Sequence, residues 1–70
     1  MRVHLNGEER VVPDDVTVTA LLESLKLNPA LVVVELNREI LSRADYGSVR
    51  VGEGDRIELV HFVGGGDDGR

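Results

Sequence analysis

Only one stretch of this chain carries a helical period, and that limits what the rest can build. Val18, Leu21, Leu22 and Leu25 fall at i, i+3, i+4 and i+7, with Thr19, Glu23, Ser24 and Lys26 off the stripe. Thr17 stands where a hydroxyl can accept from a free backbone N–H and cap the first turn. Asn28-Pro29 is expected to stop the helix. A single amphipathic helix can cover one face of one sheet and no more. The opposite face must then meet water or another protein.

The segments around it read as strands. Arg2 to Asn6 alternates, with Val3 and Leu5 on one face and Arg2, His4 and Asn6 on the other. Asn6-Gly7 is a strong tight-turn signal because both residues tolerate positive φ, so Glu8 to Val12 is expected to return as the second strand of a hairpin. Pro13 ends it, having no N–H to give a ladder. Leu31 to Leu36 is β-branched and nearly all apolar, as in a buried strand. Its alternation groups Val32, Val34 and Leu36 against Leu31, Val33 and Glu35. Asn37-Arg38 turns into a short strand, Glu39 to Leu41. Ser42 to Ser48 is irregular, with Tyr46 expected to anchor that loop by its ring. Val49 to Val51 is short and extended, Gly52 to Asp55 turns, and Arg56 opens the last strand. The order ββαβββ predicts an α+β domain with a sheet of four to five strands and one main helix on one face.

Seventy residues allow one small domain, and a domain of this size buries only roughly 60% of its unfolded surface. Tyr46 and Phe62 are the only aromatic residues, so the core must come from Val, Leu and Ile, with little room for a deep substrate cavity. The net charge of −5 opposes binding to a phosphate backbone and suits a basic protein partner. The absence of cysteine excludes disulfides and thiolate metal sites. No apolar leader and no run of membrane-spanning length is present, which predicts a cytoplasmic chain with no membrane and no nucleic-acid partner.

The last strand, Ile57 to Val63, runs straight into Gly64-Gly65-Gly66 and then Asp67-Asp68-Gly69-Arg70. Three glycines beside a strand do not serve stability, because ordering glycine costs the most backbone entropy. They predict a body over residues 1–63 and a flexible arm over 64–70, thin enough for a channel where any Cβ would clash. A frayed chain end is the plain alternative. Alternation sets Ile57, Leu59 and His61 on one face and Glu58, Val60 and Phe62 on the other. With Ile57 and Leu59 assigned to the helix side, Val60 and Phe62 lie on the uncovered side. They form either a partner-docking patch or a pair folded against neighbouring strands. His4 and His61 have no metal-ligand spacing and read as ordinary strand histidines. The pairs Glu8-Glu9 and Asp14-Asp15 read as solvated surface.

Taken together, several short motifs resemble the ThiS family of β-grasp, ubiquitin-like sulfur carriers of thiamin biosynthesis. They are the Asn6-Gly7 turn, Thr17-Val18-x-x-Leu21-Leu22-x-x-Leu25, Val34-Glu35-Leu36-Asn37, Gly52-x-Gly54-Asp55-x-Ile57 and Phe62-Val63-Gly64-Gly65-Gly66. Singly they are weak; their order and spacing over residues 1–66 make the resemblance specific. It implies a carrier with no active site and no cofactor of its own. An adenylating activating enzyme of the ThiF/MoeB kind would use ATP and Mg²⁺ to join the Gly66 carboxylate to AMP. Sulfur relayed from a cysteine desulfurase would then leave a thiocarboxylate on Gly66, for use by thiazole synthase.

One departure accompanies the resemblance. Family members end at the glycine matching Gly66, whereas Asp67-Asp68-Gly69-Arg70 follows here. Either a protease removes these residues, or they are an addition, or this chain is not a carrier; the intact glycines favour the first two. Carriers for molybdopterin, cysteine or tRNA thiolation share the arm and fold, as do ubiquitin-like protein modifiers. An inert β-grasp binding module is the remaining alternative.

Overall fold

A computed structural model describes residues 1–62 of the chain. Five strands and one helix appear in the order β1 (Arg2–Leu5), β2 (Glu8–Val11), α1 (Val18–Ser24), β3 (Val32–Leu36), β4 (Glu39–Ile40) and β5 (Arg56–His61). Single 3₁₀ turns lie at Pro29–Leu31 and Arg43–Asp45. The strands form one mixed sheet in the spatial order β2-β1-β5-β3-β4. The last strand is thus the central one. It pairs parallel with β1, His4 opposite Arg56 and Leu5 opposite Ile57. It pairs antiparallel with β3 from Val32–His61 to Leu36–Ile57.

The first hairpin follows from its turn. Asn6 and Gly7 have φ of 49° and 83°, the two positive values that match the right-handed twist of the strands they join. Asn6 also reaches across the sheet. Its N–H donates to the Ile57 carbonyl (2.9 Å) and its Oδ1 accepts from the Leu59 N–H (2.7 Å). The turn therefore holds β5 as well as β2.

The helix begins as expected and ends earlier. The Thr17 hydroxyl accepts from the Ala20 N–H at 3.1 Å. Asn28-Pro29 does not stop the helix, which ends at Ser24. Lys26 turns into the left-handed region at φ 62°; its N–H donates to the Glu23 carbonyl and the Leu27 N–H to the Leu22 carbonyl. This is the two-bond closure usually built on glycine. Asn28 instead opens the following 3₁₀ turn, its side chain accepting from the Ala30 N–H. The stripe ran past the helix because Leu25 and Leu27 still pack on the core from the closing turn.

The core lies between α1 and one sheet face. Val3, Ile57, Val32 and Val34 from the sheet meet Val18, Leu21 and Leu22 from the helix, all at most 2% exposed. Each such aliphatic side chain contributes about 1.5–3 kcal/mol relative to exposure. Val12, Val16, Tyr46 and Val51 close the rim. Val49 to Val51 lies beside the chain entering α1. Only Arg50 bridges, opposite Thr17, and the Val51 N–H donates to the Val16 carbonyl at 2.9 Å.

Tyr46 anchors its loop by its hydroxyl as much as by its ring. The buried O–H donates to the Val32 carbonyl at 2.8 Å and accepts from the Val34 N–H at 3.1 Å. Strand β4 is two residues long and pairs only with Glu35 and Leu36. The phenol therefore takes the place of strand partner where β4 falls short, and the Arg43 guanidinium adds a donor to Val32 at 3.3 Å. An otherwise bare strand edge is satisfied by two side chains of one loop.

Candidate functional site

The face of the sheet opposite α1 has no covering element among the described residues. Alternation directs Arg2 and His4 of β1, Glu9 and Val11 of β2, Val33 and Glu35 of β3, Ile40 of β4, and Arg56, Glu58 and Val60 of β5 away from the core. Val60 is 55% exposed and Phe62 53%. The Phe62 N–H donates to the Leu31 carbonyl at 2.8 Å, so the backbone stays fixed one residue beyond β5. Both side chains are more than half exposed on the open face. Val33 lies directly opposite Val60 and enlarges the apolar patch.

Next along β5, Glu58 stands directly opposite Glu35. Both are half-buried, and neither has an ion-pair partner among the described residues. Like charges in directly opposed positions of a sheet destabilise it. This pair therefore works against stability on a surface that already lacks a cover.

At the start of β5 the character changes again. His4, Asn37, Arg38, Gly54 and Arg56 line an open polar depression of about 370 Å³. Asn37 builds it. Its N–H donates to the Arg56 carbonyl (2.7 Å), its Oδ1 accepts from the Arg56 N–H (2.9 Å), and its Nδ2 donates to Asp55 Oδ1 (3.2 Å). The β3–β4 turn is thus clamped to β5, and Arg38 and Arg56 line the same depression.

The remaining expected sites separate cleanly. His61 shares the core-side face with Leu59 but is exposed. Among the described residues no group of three or more His, Asp or Glu could hold a metal ion, and no helix is long and apolar enough to cross a membrane. Asp15 pairs with Arg50 at 3.0 Å and Glu9 with Arg2 at 3.7 Å, all exposed, while Glu8 and Asp14 are also on the surface. Gly64, Gly65 and Gly66, and with them the boundary set after residue 63, lie outside the described residues. Alternation along β5 was enough to find Val60 and Phe62. It could not find the Glu35–Glu58 pair or the basic depression, because each needs the register between segments about twenty or more residues apart.

Comparison with known proteins agrees with this architecture. The ThiS family profile matches residues 3–66. The sulfur carrier protein ThiS of Bacillus subtilis is 42% identical over 65 residues, covering 91% of this chain and 98% of that protein. A thiazole synthase of Magnetococcus marinus is 46% identical over 66 residues, which cover 94% of this chain and 20% of the synthase. The chain spans about a fifth of the length of the two thiazole synthases it matches. The crystal structure of the thiamine biosynthesis protein ThiS from Geobacter metallireducens superposes with a TM-score of 0.81 at 38% identity, covering 94% of this chain and all of that one. With a matching sequence over nearly its whole length and a β-grasp sheet crossed by one helix, the chain belongs to the ThiS family.

Proposed function

We propose that this protein is a sulfur carrier of thiamin biosynthesis, with Gly66 as the residue that carries sulfur. The observation that supports this most is that the family match runs through Gly66, in a chain whose central strand leads into Gly64-Gly65-Gly66. A free carboxylate is a poor electrophile, because its charge is shared over two oxygens. In the proposed cycle a Gly66 carboxylate oxygen attacks the α-phosphorus of ATP on the activating enzyme and pyrophosphate leaves. A persulfide relayed from a cysteine desulfurase then attacks the carbonyl and displaces AMP, leaving an acyl disulfide, and a thiol reduces its S–S bond to release a thiocarboxylate and a new disulfide. The thiocarboxylate is a better sulfur donor than the carboxylate it replaces. ATP and Mg²⁺ belong to the activating enzyme, which supplies positioning and charge neutralisation.

This chain contributes reach and docking. Three glycines extend at most roughly 10 Å, enough to place a carbonyl in a narrow site while the body stays outside. Ordering them costs on the order of 1–2 kcal/mol per residue. The exposed Val60 and Phe62, next to the point where the arm begins, are the apolar contacts proposed to offset that cost. Thiazole synthase is the proposed acceptor. A stretch similar to this chain makes up about a fifth of two proteins of that name, which supports the link.

The cycle needs a free carboxylate on Gly66, so the test uses a form ending there. With a ThiF-like activating enzyme and ATP, that form is expected to release pyrophosphate, and a form lacking Gly65 and Gly66 is not. No pyrophosphate from the Gly66-ended form would reject the proposal.

A further inference from the structure

The Asn37-Arg38 turn has a cost that its neighbour Asn6-Gly7 avoids. Both turns join two antiparallel strands through two residues at positive φ. The first uses glycine at the second position, at φ 83°; the second uses Arg38, at φ 73°. A side chain in the left-handed region is held there at a cost on the order of 1–3 kcal/mol. In return, Arg38 joins Arg56 and His4 around the open depression, whose fifth wall is Gly54 at φ 81°. Neither arginine is ion-paired among the described residues, although the chain as a whole is acidic. Both line the depression, while the adjacent Asp55 carboxylate is engaged by Asn37 Nδ2 and the Gly52 N–H.

The structure does not favour a free anion as the visitor to this depression. The depression is open and its cations are exposed, and exposed ion pairs contribute only about 0–1 kcal/mol each. A carboxylate carried on a docking protein is different. It is held at a high effective concentration by the other contacts, and docking removes water from around it. The face supplies those contacts in a fixed sequence along β5: the basic depression at Arg56, the Glu58–Glu35 pair in the middle, and Val60 with Val33 and Phe62 at the far end. The full run from Arg56 to Phe62 covers roughly 20 Å.

We propose that His4, Arg38 and Arg56 form a seat for an acidic side chain of the ThiF-like activating enzyme, and that this contact fixes the rotation of the body on that enzyme. The inference rests on the carrier reading above. A partner that meets this face in register must offer an acidic, then a basic, then an apolar surface. Any other rotation sets like charges together, which excludes wrong placements more than it adds affinity. The sequence-based expectation of a basic partner thus applies to the middle of the face, and the end at Arg56 asks for the opposite charge.

The test is the affinity of the Gly66-ended protein for the ThiF-like activating enzyme, measured over a range of salt concentrations. Arg38→Gly is expected to raise thermal stability, because the turn relaxes, while weakening binding several-fold. Arg56→Gln is expected to weaken binding, and Arg56→Glu to weaken it tenfold or more beyond Arg56→Gln. The Arg38→Gly, Arg56→Gln double variant should have a flatter salt dependence than the wild type. If the wild type binds and every variant matches it, the seat is wrong and the carrier reading stands. If Arg56→Glu binds as well as Arg56→Gln, the partner group is not acidic and the proposal fails. A wild type that shows no binding rejects both.

Discussion

The two faces of the sheet are made from the same strands and follow opposite rules. On the helix side Val3, Val32, Val34 and Ile57 are almost wholly buried in an apolar core. On the other side Val60, Phe62 and Ile40 stay exposed, and Glu35 faces Glu58 directly. One face removes apolar surface from water and holds the fold. The other tolerates exposed apolar groups, opposed like charges and, at Arg38, a backbone conformation that costs energy. Such features gathered on one side are what a docking surface would show. The exposed patch adjoins the end of the central strand, so the proposed docking and the proposed delivery would share one strand.

Substitutions on the two faces should separate stability from recognition. The largest effect is expected at Leu22, fully buried in α1. Leu22→Ala should lower unfolding free energy by about 2–5 kcal/mol in chemical denaturation, a large share of the roughly 5–15 kcal/mol typical of a domain. Tyr46→Phe comes next. It keeps the ring but strands the Val34 N–H and leaves the Val32 carbonyl only the longer bond from Arg43, for a loss of about 1–3 kcal/mol by the same measurement. Phe62→Ala should change stability by no more than about 0.5 kcal/mol. Calorimetric titration should nevertheless show weaker binding to the activating enzyme by about tenfold, or roughly 1.4 kcal/mol. A Phe62→Ala protein that loses stability like Leu22→Ala and binds normally would break the contrast between the faces. The smallest effect is a gain: Glu58→Gln relieves the pair with Glu35 and should add a few tenths of a kcal/mol at low salt.

What could be read from the sequence is what short-range chemistry decides. Asn6-Gly7 declared its turn, Thr17 its cap, and the Val18–Leu25 stripe its buried face, because each signal lies within one turn or one period. Val60 and Phe62 were found because period-two alternation is local too. The Schellman closure at Lys26 was missed because lysine at that position looks like an ordinary polar helix residue. The parallel pairing of β1 with β5, the bond from Tyr46 to β3 and the gathering of His4, Arg38 and Arg56 all depend on contacts across ten to fifty residues. No pattern within one segment encodes them. Family resemblance supplied the β-grasp fold and a proposed role for the glycines, and neither of those locates the basic end of the open face.

Intact mass spectrometry of the protein isolated from its native cells tests most directly the proposal that this domain is a body that delivers one glycine carbonyl. The expected spectrum contains a species ending at Gly66, with a fraction heavier by the replacement of one oxygen with sulfur. Protein that always ends at Arg70 and never carries sulfur, in cells that are making their own thiamin, would contradict it.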